Sequence, residues 1–544
     1  MASEGESAIP TSALARALAV LLVAGAALRF LGNNVADPDL WGHLRYGSMM
    51  WSEGFPRFDV FSYTAAGEPF YDHEWLADFV FAGVQAAFGS AGLVVGKLLL
   101  LAGMLLAMVD CARSLVRVLP AAEPPRPMTS ALVLVLGLAV IEPGATFRPQ
   151  LFTMLLLALE GAILGRAEAR RASGGPTYGW ELAGVPFLVL VWANLHGGFL
   201  VGLGMFGLYL VATAASVVVS RRAEEAPWAR DVAVLALAGL AGVAAPLVNP
   251  YGVELYTYLA RTLDMHGEIS ESYPVDLLSD HFLRFKVLVL LYAVAAVLLR
   301  PRRGEAPLAF GAFAWRTGLL AFAAVYALRH QRHTVLFAIA ATPFVIPAAE
   351  RALRLVLVRW PNLHLRPPVR ATVAAGFAAV ALYQVGGWTK QIAEHGFTIR
   401  FGRMDYPTDA VEFLRKHELA GNVAMPFEWG AYAIWKLAPE SRVFIDGRFE
   451  AVYPEQVIED YFAFMNGTEG WERLLDAYPT DVVVVQRSRD IHPRLFARKD
   501  LTYVYSDPAS LVFVRRSPTT EEALDRLVRL ENRQDFPRLA TYFP

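Results

Sequence analysis

Two short strings place acidic residues and a histidine where they can carry out acid–base or metal chemistry. Asp37-Pro38-Asp39 precedes a predicted helix over 40–53, and Asp72-His73-Glu74 precedes a second helical stretch. A carboxylate pair can bind a divalent cation such as Mg²⁺ or Mn²⁺, or it can take the proton of an attacking hydroxyl. The catalytic candidates are therefore Asp37, Asp39, His73 and Glu74, with Asp37 and Asp39 also candidate metal ligands.

Both strings also have a purely local interpretation as helix starts. Asp39 and Asp72 are good helix N-caps, and Glu74 suits the first turn of a helix. The two interpretations are compatible, since Asp39 can cap a helix while Asp37 acts chemically. His43 lies one turn from Asp39 on the same helix face, which makes it a candidate for substrate binding.

Three arginines in otherwise arginine-poor connections are candidates for binding a phosphate group, namely Arg148, Arg329 and Arg332. The planar guanidinium matches phosphate oxygens in pairs. The alternative is contact with lipid headgroups by snorkelling side chains. His330 would assist the arginines, and His333 belongs to the same string.

The remaining polar strings resemble turns and are also candidates for substrate binding. Asn194-Leu195-His196-Gly197-Gly198 and Asn249-Pro250-Tyr251-Gly252 are typical of turns between helices. Asp446-Gly447-Arg448 follows a predicted strand and is either a turn with a local salt bridge or a segment that reaches back to the membrane. The candidates taken from these strings and from Phe147-Arg148-Pro149-Gln150 are Gln150, Asn194, His196, Asn249, Tyr251, Asp446 and Arg448.

A multi-span membrane protein must position these residues. Hydrophobic residues make up 55% of the 544-residue chain and charged residues 18%, against about 25% charged in soluble proteins. The apolar runs predict about eleven spans, several of them shorter than the roughly 17 residues that a lone spanning helix needs. The predicted spans lie near 13–31, 91–109, 128–142, 149–165, 182–196, 199–219, 231–248, 285–299, 308–328, 334–349 and 371–388.

The distribution of arginine between the spans predicts their sidedness. Every second connection is arginine-rich, with seventeen arginines in five of them, whereas the loop over 32–90 has eight carboxylates and two arginines. The positive-inside rule then puts the N-terminus in the cytoplasm and the C-terminus outside. All the polar strings fall at outer ends of spans, and polar groups at membrane depth usually line a cavity. The sequence therefore predicts a site at the outer face.

The composition changes after the last span, which divides the chain into a membrane domain over 1–388 and a soluble domain over 389–544. Alternating helix and strand patterns predict a small extracytoplasmic α/β domain. It has no glycine-rich phosphate loop, so no nucleotide cofactor is predicted. The net charge of −2 gives no reason to expect nucleic acid, and the single cysteine, Cys111, excludes a disulfide within the chain.

The arrangement resembles the GT-C class of integral-membrane glycosyltransferases, in which a first span is followed by a long acidic outer loop with an Asp-x-Asp string. More closely, several strings resemble a poorly characterised bacterial family of GT-C-like membrane proteins over nearly the whole chain. These strings are Asp39-Leu40-Trp41-Gly42-His43-Leu44, His73-Glu74-Trp75-Leu76, Arg148-Pro149-Gln150, Asn194-Leu195-His196-Gly197-Gly198, Asn249-Pro250-Tyr251-Gly252 and Phe444-Ile445-Asp446-Gly447-Arg448.

This resemblance implies a glycosyltransferase in the bacterial cytoplasmic (inner) membrane, using a polyprenyl-phosphate sugar as donor on the extracytoplasmic side. The acceptor would be a hydroxyl of a glycan, lipid or protein, and a single displacement would invert the anomeric carbon. The rival hypotheses are a transporter or flippase of a lipid-linked or anionic substrate, and a non-catalytic scaffold whose C-terminal domain binds a partner. A transporter is expected to carry polar residues through the depth of the membrane, whereas those of this chain concentrate outside.

Overall fold

The computed structural model describes residues 11–224, 227–263, 273–360, 367–402, 405–449 and 452–529. The described part of the membrane domain is helical, and its elements are α1 (Thr11–Leu31), α2 (Leu40–Ser52), α3 (Trp75–Val118), α4 (Pro127–Ile141), α5 (Gln150–Ala172), α6 (Glu181–Leu195), α7 (Phe199–Ala223), α8 (Ala229–Ala244), α9 (Glu254–Leu263), α10 (Leu283–Leu298), α11 (Pro307–Arg329), α12 (Thr334–Arg359) and α13 (Pro367–His395). Short 3₁₀ turns follow α4 and α8 and precede α10 and α12.

Apolar helices occupy all eleven predicted span positions, which confirms the fold class. Within the described residues, ten helices are long and apolar enough to cross a membrane, and α6 is a shorter apolar helix of 15 residues. The chain is therefore a multi-pass membrane protein. An ion pair is buried in the bundle, where Arg316 of α11 lies 2.5 Å from Glu168 of α5. A buried cation needs such a partner, because an unpaired charge in the bundle is expensive.

α3 has 44 residues and two parts that meet at a kink, namely the helix expected after Asp72-His73-Glu74 and the span expected near 91–109. Its backbone is non-helical at Gly89, where φ is 61°. That left-handed value favours glycine. The part before Gly89 packs against α2, and a Cβ on Gly47 of α2 would lie 2.0 Å from the carbonyl oxygen of Asp78. The missing side chain of Gly47 thus allows α2 and α3 to approach closely.

The C-terminal domain contains a five-stranded sheet covered by helices. The elements are α14 (Thr408–Lys416), β1 (Gly421–Ala424), α15 (Phe427–Leu437), β2 (Ser441–Val443), α16 (Glu455–Asn466), α17 (Arg473–Asp476), β3 (Val482–Gln486), α18 (His492–Ala497), β4 (Leu501–Ser506), β5 (Ser510–Arg515) and α19 (Glu521–Arg529). The strands follow the order β2-β1-β3-β5-β4. β1 pairs in parallel with β2 and β3, while β5 pairs antiparallel with β3 and β4, so β4 and β5 form a hairpin.

The long outer loop and the C-terminal domain share one hydrophobic core. Trp41 of α2 is fully buried, and its ring contacts those of Phe401, Tyr406, Tyr432 and Trp435 at centroid distances of 5.0–5.6 Å. The backbone of the loop also pairs with the domain through two isolated parallel bridges, Val35 with Arg400 and Ser62 with Val443. Because of these contacts, the Asp37-Pro38-Asp39 string is held between the membrane helices and the soluble domain.

Candidate active site

The centre of the candidate site is an arginine that bridges the two aspartates of the first string. Arg148 Nε donates to Asp37 Oδ1 at 2.6 Å, and its Nη2 lies 3.1 Å from Asp39 Oδ2. The Asp37 side chain is 7% exposed and that of Asp39 is 36% exposed. Contact with the guanidinium fixes the position of both carboxylates. Of the two, Asp39 is the one that faces solvent.

Asp39 occupies the N-cap position of α2, but its side chain makes no capping hydrogen bond. The capping interpretation of its side chain is therefore wrong. It is Asp37 whose Oδ1 accepts the backbone N–H of Asp39, at 3.1 Å. The soluble domain approaches from the other side, since a Cβ on Gly447 would lie 2.6 Å from Asp39 Oδ1.

Two residues hold the turn that presents Arg148. Gln150 donates through Nε2 to the carbonyl oxygen of Gly144 at 2.9 Å and to Thr146 Oγ1 at 3.3 Å, so its amide closes its own turn. Lys97 of α3 donates to the carbonyl oxygens of Asn33 and of Ala145 in the same turn. The ammonium group thus ties the start of the outer loop to the Arg148 turn.

The second string forms a neighbouring cluster with the turn after α6. Glu74 Oε1 lies 3.4 Å from His196 Nε2 and 3.7 Å from His73 Nε2. The side chains of these three residues are 18–27% exposed. His43, on α2, does not pair with Asp39; its Nδ1 lies 2.7 Å from Asp78 of α3. The structure thus brings His73, Glu74 and His196 together, and His43 joins α2 to α3.

The electrostatics of this cluster favour neutral forms. Burial raises the pKa of Glu74 to about 8; the charge of His43 lowers it, while the carboxylates of Asp78, Asp72 and Asp39 raise it further. Burial lowers the pKa of His73 to about 4 and that of His196 to about 3. A carboxyl group that titrates near neutral pH is typical of sites that bind or transfer protons.

Other predicted substrate-binding residues support the loops around the site. Asn194 accepts from Trp75 Nε1 at 2.9 Å and donates to the carbonyl oxygens of Leu190 and Val248. Asn249 accepts the backbone N–H of Tyr251 at 2.7 Å within its own turn. The Tyr251 hydroxyl accepts the backbone N–H of Asp72 at 2.7 Å. These side chains hold the Asp72-His73-Glu74 string against the ends of α6 and α8.

Asp446 and Arg448 form a separate buried cluster. Arg448 contacts Asp446 at 2.7 Å and Asp59 of the outer loop at 2.6 Å. Its guanidinium also lies 5.0–5.9 Å from the ring centroids of Tyr46, Phe61, Phe70 and Tyr453. Their string therefore combines a local salt bridge with a bond to the outer loop, while Gly447 between them borders Asp39.

The string between α11 and α12 presents its arginines outwards. Arg329 and Arg332 are exposed, and Arg332 Nε lies 3.4 Å from His333 Nε2. The rings of His330 and His333 pack against Tyr326 at centroid distances of 5.1 and 4.5 Å. Burial lowers the pKa of His196 first, and the charges of His73, His43 and Arg332 lower it further.

Asp37 and Asp39 do not fit a divalent cation in this arrangement. Both carboxylates contact Arg148, so a guanidinium takes the place that a bridging cation would need. Among the described residues, no group of three or more His, Cys, Asp or Glu side chains is arranged to hold a metal.

Sequence reasoning missed several residues that build the site. Asp59 and Asp78 are buried partners of Arg448 and His43, and the buried Thr153 contacts His196. Lys97 also builds the site, and its position as a charged residue inside an apolar run was a usable signal for a structural or functional role. Thr153 gave no such signal, because a lone threonine in an apolar helix is common.

Comparisons with known proteins show a shared fold without close sequence relatives. No family model matches the chain, and neither does any curated protein. The solved structure of the Archaeoglobus fulgidus oligosaccharyltransferase in the apo form is similar, with a TM-score of 0.56 and 12% identity over 94% of this chain and 76% of that one. The archaeal oligosaccharyltransferase AglB from the same organism, in complex with an inhibitory peptide and a dolichol-phosphate, has a TM-score of 0.54 and 11% identity over 87% of this chain and 69% of that one.

A third structure of the Archaeoglobus fulgidus enzyme, described as a complex with Zn and sulfate, has a TM-score of 0.50 and 12% identity over 92% of this chain and 73% of that one. At such identities the likeness establishes the fold alone. The resemblance to a poorly characterised bacterial family stays a prediction. The likeness covers the membrane helices, the outer loop and the soluble domain, and this chain therefore has the fold of the GT-C membrane glycosyltransferases.

Proposed function

We propose that the protein is a glycosyltransferase that moves a sugar from a polyprenyl-phosphate donor to an acceptor hydroxyl at the extracytoplasmic membrane face. The observation that carries this proposal is the Arg148-bridged carboxylate pair, with Asp39 exposed, on a GT-C fold. The concentration of the polar groups at one end of the bundle also supports it. The chain is proposed to lie in the bacterial cytoplasmic membrane with its N-terminus inside.

Asp39 is the proposed general base. An acceptor hydroxyl is a weak nucleophile near neutral pH, so a carboxylate must take its proton as it attacks the anomeric carbon. Asp39 is the exposed member of the pair, whereas Asp37 is buried against Arg148. Asp37 and Arg148 therefore orient the base. The new glycosidic bond forms as the bond from the anomeric carbon to the phosphate oxygen breaks, with inversion.

Arg332 and Arg329 are the proposed ligands of the donor phosphate. The lipid phosphate leaves with increasing negative charge, and a preorganised cation stabilises that charge in the transition state. Both arginines are exposed, whereas Arg148 is already bound by two carboxylates. His330 and His333 stand on the same turn. Of the three arginines that the sequence suggested for the phosphate, this assignment keeps Arg329 and Arg332 and leaves Arg148 to orient the base.

The acceptor is proposed to lie between the two clusters. A hydroxyl bound by Glu74 and the neighbouring histidines would face Asp39, whose charge acts on the pKa of Glu74. The acceptor is a hydroxyl compound of the glycan, lipid or protein kind, and lipids of the membrane surround the donor chain.

The proposal is tested by mass spectrometry of glycans and lipid-linked sugars in cells that lack the protein, complemented by variants. Wild type should restore one missing sugar to the glycan and remove an accumulated polyprenyl-phosphate sugar. Asp39→Asn should do neither. Asp110→Asn is the matched control, since Asp110 is a half-buried aspartate that also pairs with an arginine, Arg166, at 2.6 Å. Full complementation by Asp39→Asn, or no change in any glycan, would favour the transporter or scaffold hypotheses.

A further inference from the structure

We infer that Thr153 is a positioning residue which, with the backbone N–H of Gly198, fixes His196 as the tautomer that carries its proton on Nε2, beside Glu74. The inference rests on the proposed function only for its consequence for transfer. The tautomer itself follows from hydrogen bonds around the imidazole ring. Thr153 was not among the residues singled out by their type and spacing, and Gly198 was noted only as part of the turn string that begins at Asn194.

Thr153 lies between Trp192 and His196. Trp192 Nε1 lies 2.7 Å from Thr153 Oγ1, and because an indole N–H can only donate, the hydroxyl oxygen accepts this hydrogen. The hydroxyl keeps one hydrogen of its own, and its other neighbour at 2.8 Å is Nδ1 of His196. Thr153 can therefore donate to Nδ1 wherever that nitrogen carries no hydrogen. Thr153 is buried, so water does not compete for the hydroxyl.

A second donor converges on the same nitrogen. The backbone N–H of Gly198 points at His196 Nδ1 from 2.8 Å, and a backbone N–H also can only donate. A nitrogen that accepts a backbone N–H carries no hydrogen itself, so Thr153 donates to it as well and the proton of the neutral ring is on Nε2. The close fit depends on Gly198, since a Cβ at this position would lie 2.4 Å from Thr153 Oγ1 and 3.0 Å from His196 Nδ1.

The consequence is a fixed donor beside a carboxyl group. Nε2 of His196 lies 3.4 Å from Glu74 Oε1, so the site presents an N–H and a carboxyl oxygen side by side. A sugar hydroxyl both donates and accepts, and this pair matches both properties. If His196 were charged, Nδ1 would carry a proton that faces the hydrogens of the Thr153 hydroxyl and the Gly198 N–H. The lowered pKa of His196, caused first by burial, agrees with that geometry.

The test uses the ¹⁵N spectrum of histidine-labelled, full-length protein in detergent without substrate, where protonated and unprotonated ring nitrogens are well separated. The His196 signals are identified by their loss in His196→Gln. Wild type should show an unprotonated Nδ1 and a protonated Nε2. Thr153→Val, which keeps the shape but removes the hydroxyl, should shift the Nδ1 signal, while Thr153→Ser should retain the wild-type spectrum.

A matched control separates the effect on His196 from general loosening of the helices. Trp192→Phe removes the other hydrogen bond of Thr153 and should leave the His196 signals in place. In the cellular assay, sugar restored by Thr153→Val should fall about tenfold, and Thr153→Ser should restore it. A protonated Nδ1 in wild type, or identical spectra for wild type and Thr153→Val, would overturn the inference whatever the transfer assay shows. If Thr153→Val transfers sugar as well as wild type does, only the role of Thr153 in transfer is refuted.

Discussion

Arg448 and Arg148 each bridge a pair of aspartates, and their surroundings differ. Arg448 joins Asp59 and Asp446, both of which are fully buried, inside a ring of four aromatic side chains. Arg148 joins a buried Asp37 to a half-exposed Asp39. The first cluster is closed to substrate, so it fastens the outer loop to the soluble domain. The second leaves one carboxylate open, so it can act on a substrate.

The comparison shows why a motif of arginine and aspartate does not by itself indicate a role. Both clusters have the same charges and nearly the same distances, 2.6–3.1 Å. A buried ion pair is costly to break, because removing one partner leaves an uncompensated charge. A carboxylate that reaches solvent stays hydrated, so removing its partner costs less free energy of unfolding. Substitutions in the two clusters should therefore affect different properties of the protein.

The largest expected effect is on stability. Arg448→Met should lower the stability of the soluble domain and its loop by about 3–5 kcal/mol, because Asp59 and Asp446 would both remain buried without a cation. Thermal unfolding followed by size-exclusion chromatography of a fluorescent fusion measures this loss. The matched control is Arg415→Met, whose arginine pairs with Glu412 on the surface at 2.7 Å. That variant should lose less than about 1 kcal/mol. Equal stability of the two variants would contradict the structural role of Arg448.

The next effect is on transfer alone. Asp39→Asn removes the proposed base but keeps the shape, and we expect sugar transfer to fall by about 10²–10⁴-fold. The melting temperature should stay within a few degrees of wild type, since the Asp39 side chain is partly exposed. Membranes bearing either protein are compared for the sugar product and for thermal unfolding. A variant that loses stability as severely as Arg448→Met would show that the two clusters are alike.

The third effect is the pH dependence of acceptor use, that is, of the rate at which sugar is transferred to the acceptor. Burial holds the pKa of Glu74 at about 8, so the group is mainly protonated at pH 7 and mainly charged at pH 9. If the acceptor hydroxyl donates to the charged form, acceptor use should rise by about tenfold between these pH values, following the ionised fraction. The charged and titratable groups facing Glu74 are His43, His73, His196, Asp39, Asp72, Asp78 and Tyr258.

The matched variant for this titration is Glu74→Gln, which should give low acceptor use with little change between pH 7 and pH 9. His73→Gln removes a neighbouring ring and should leave a pH dependence, because Glu74 remains. A rise of the same size in Glu74→Gln would assign the titration to another group.

Sequence patterns predicted the helices and strands well because apolar runs and alternation are local properties. The eleven apolar helices lie where these patterns put them, and so does the helix that begins at Trp75 directly after Asp72-His73-Glu74. The patterns did not show that this helix joins the next span through a kink at Gly89.

The candidate site was predicted in membership but not in pairing. The strings with Asp37, Asp39 and Arg148 were identified, yet the sequence suggested a metal or a phosphate where the structure has a bridge. The partners Arg148 and Asp37 are 111 residues apart, and such a contact depends on how the helices pack. The same holds for Arg448 and Asp59, which are 389 residues apart. A residue type shows which contacts are chemically suitable, whereas only the fold decides which one is made.

The smallest expected effect is that of a chelator, and it tests whether Arg148 acts in place of a cation. Because its guanidinium already contacts both carboxylates, EDTA should change transfer by less than about twofold, and added Mg²⁺ or Mn²⁺ should not raise the melting temperature through Asp37 and Asp39. Arg148→Met provides the contrast, since two neighbouring carboxylates without a cation are a better metal site. Manganese binding to this variant, measured by electron paramagnetic resonance, should exceed binding to wild type. Tight manganese binding by wild type that Asp37→Asn abolishes would show instead that Arg148 yields its place to a metal.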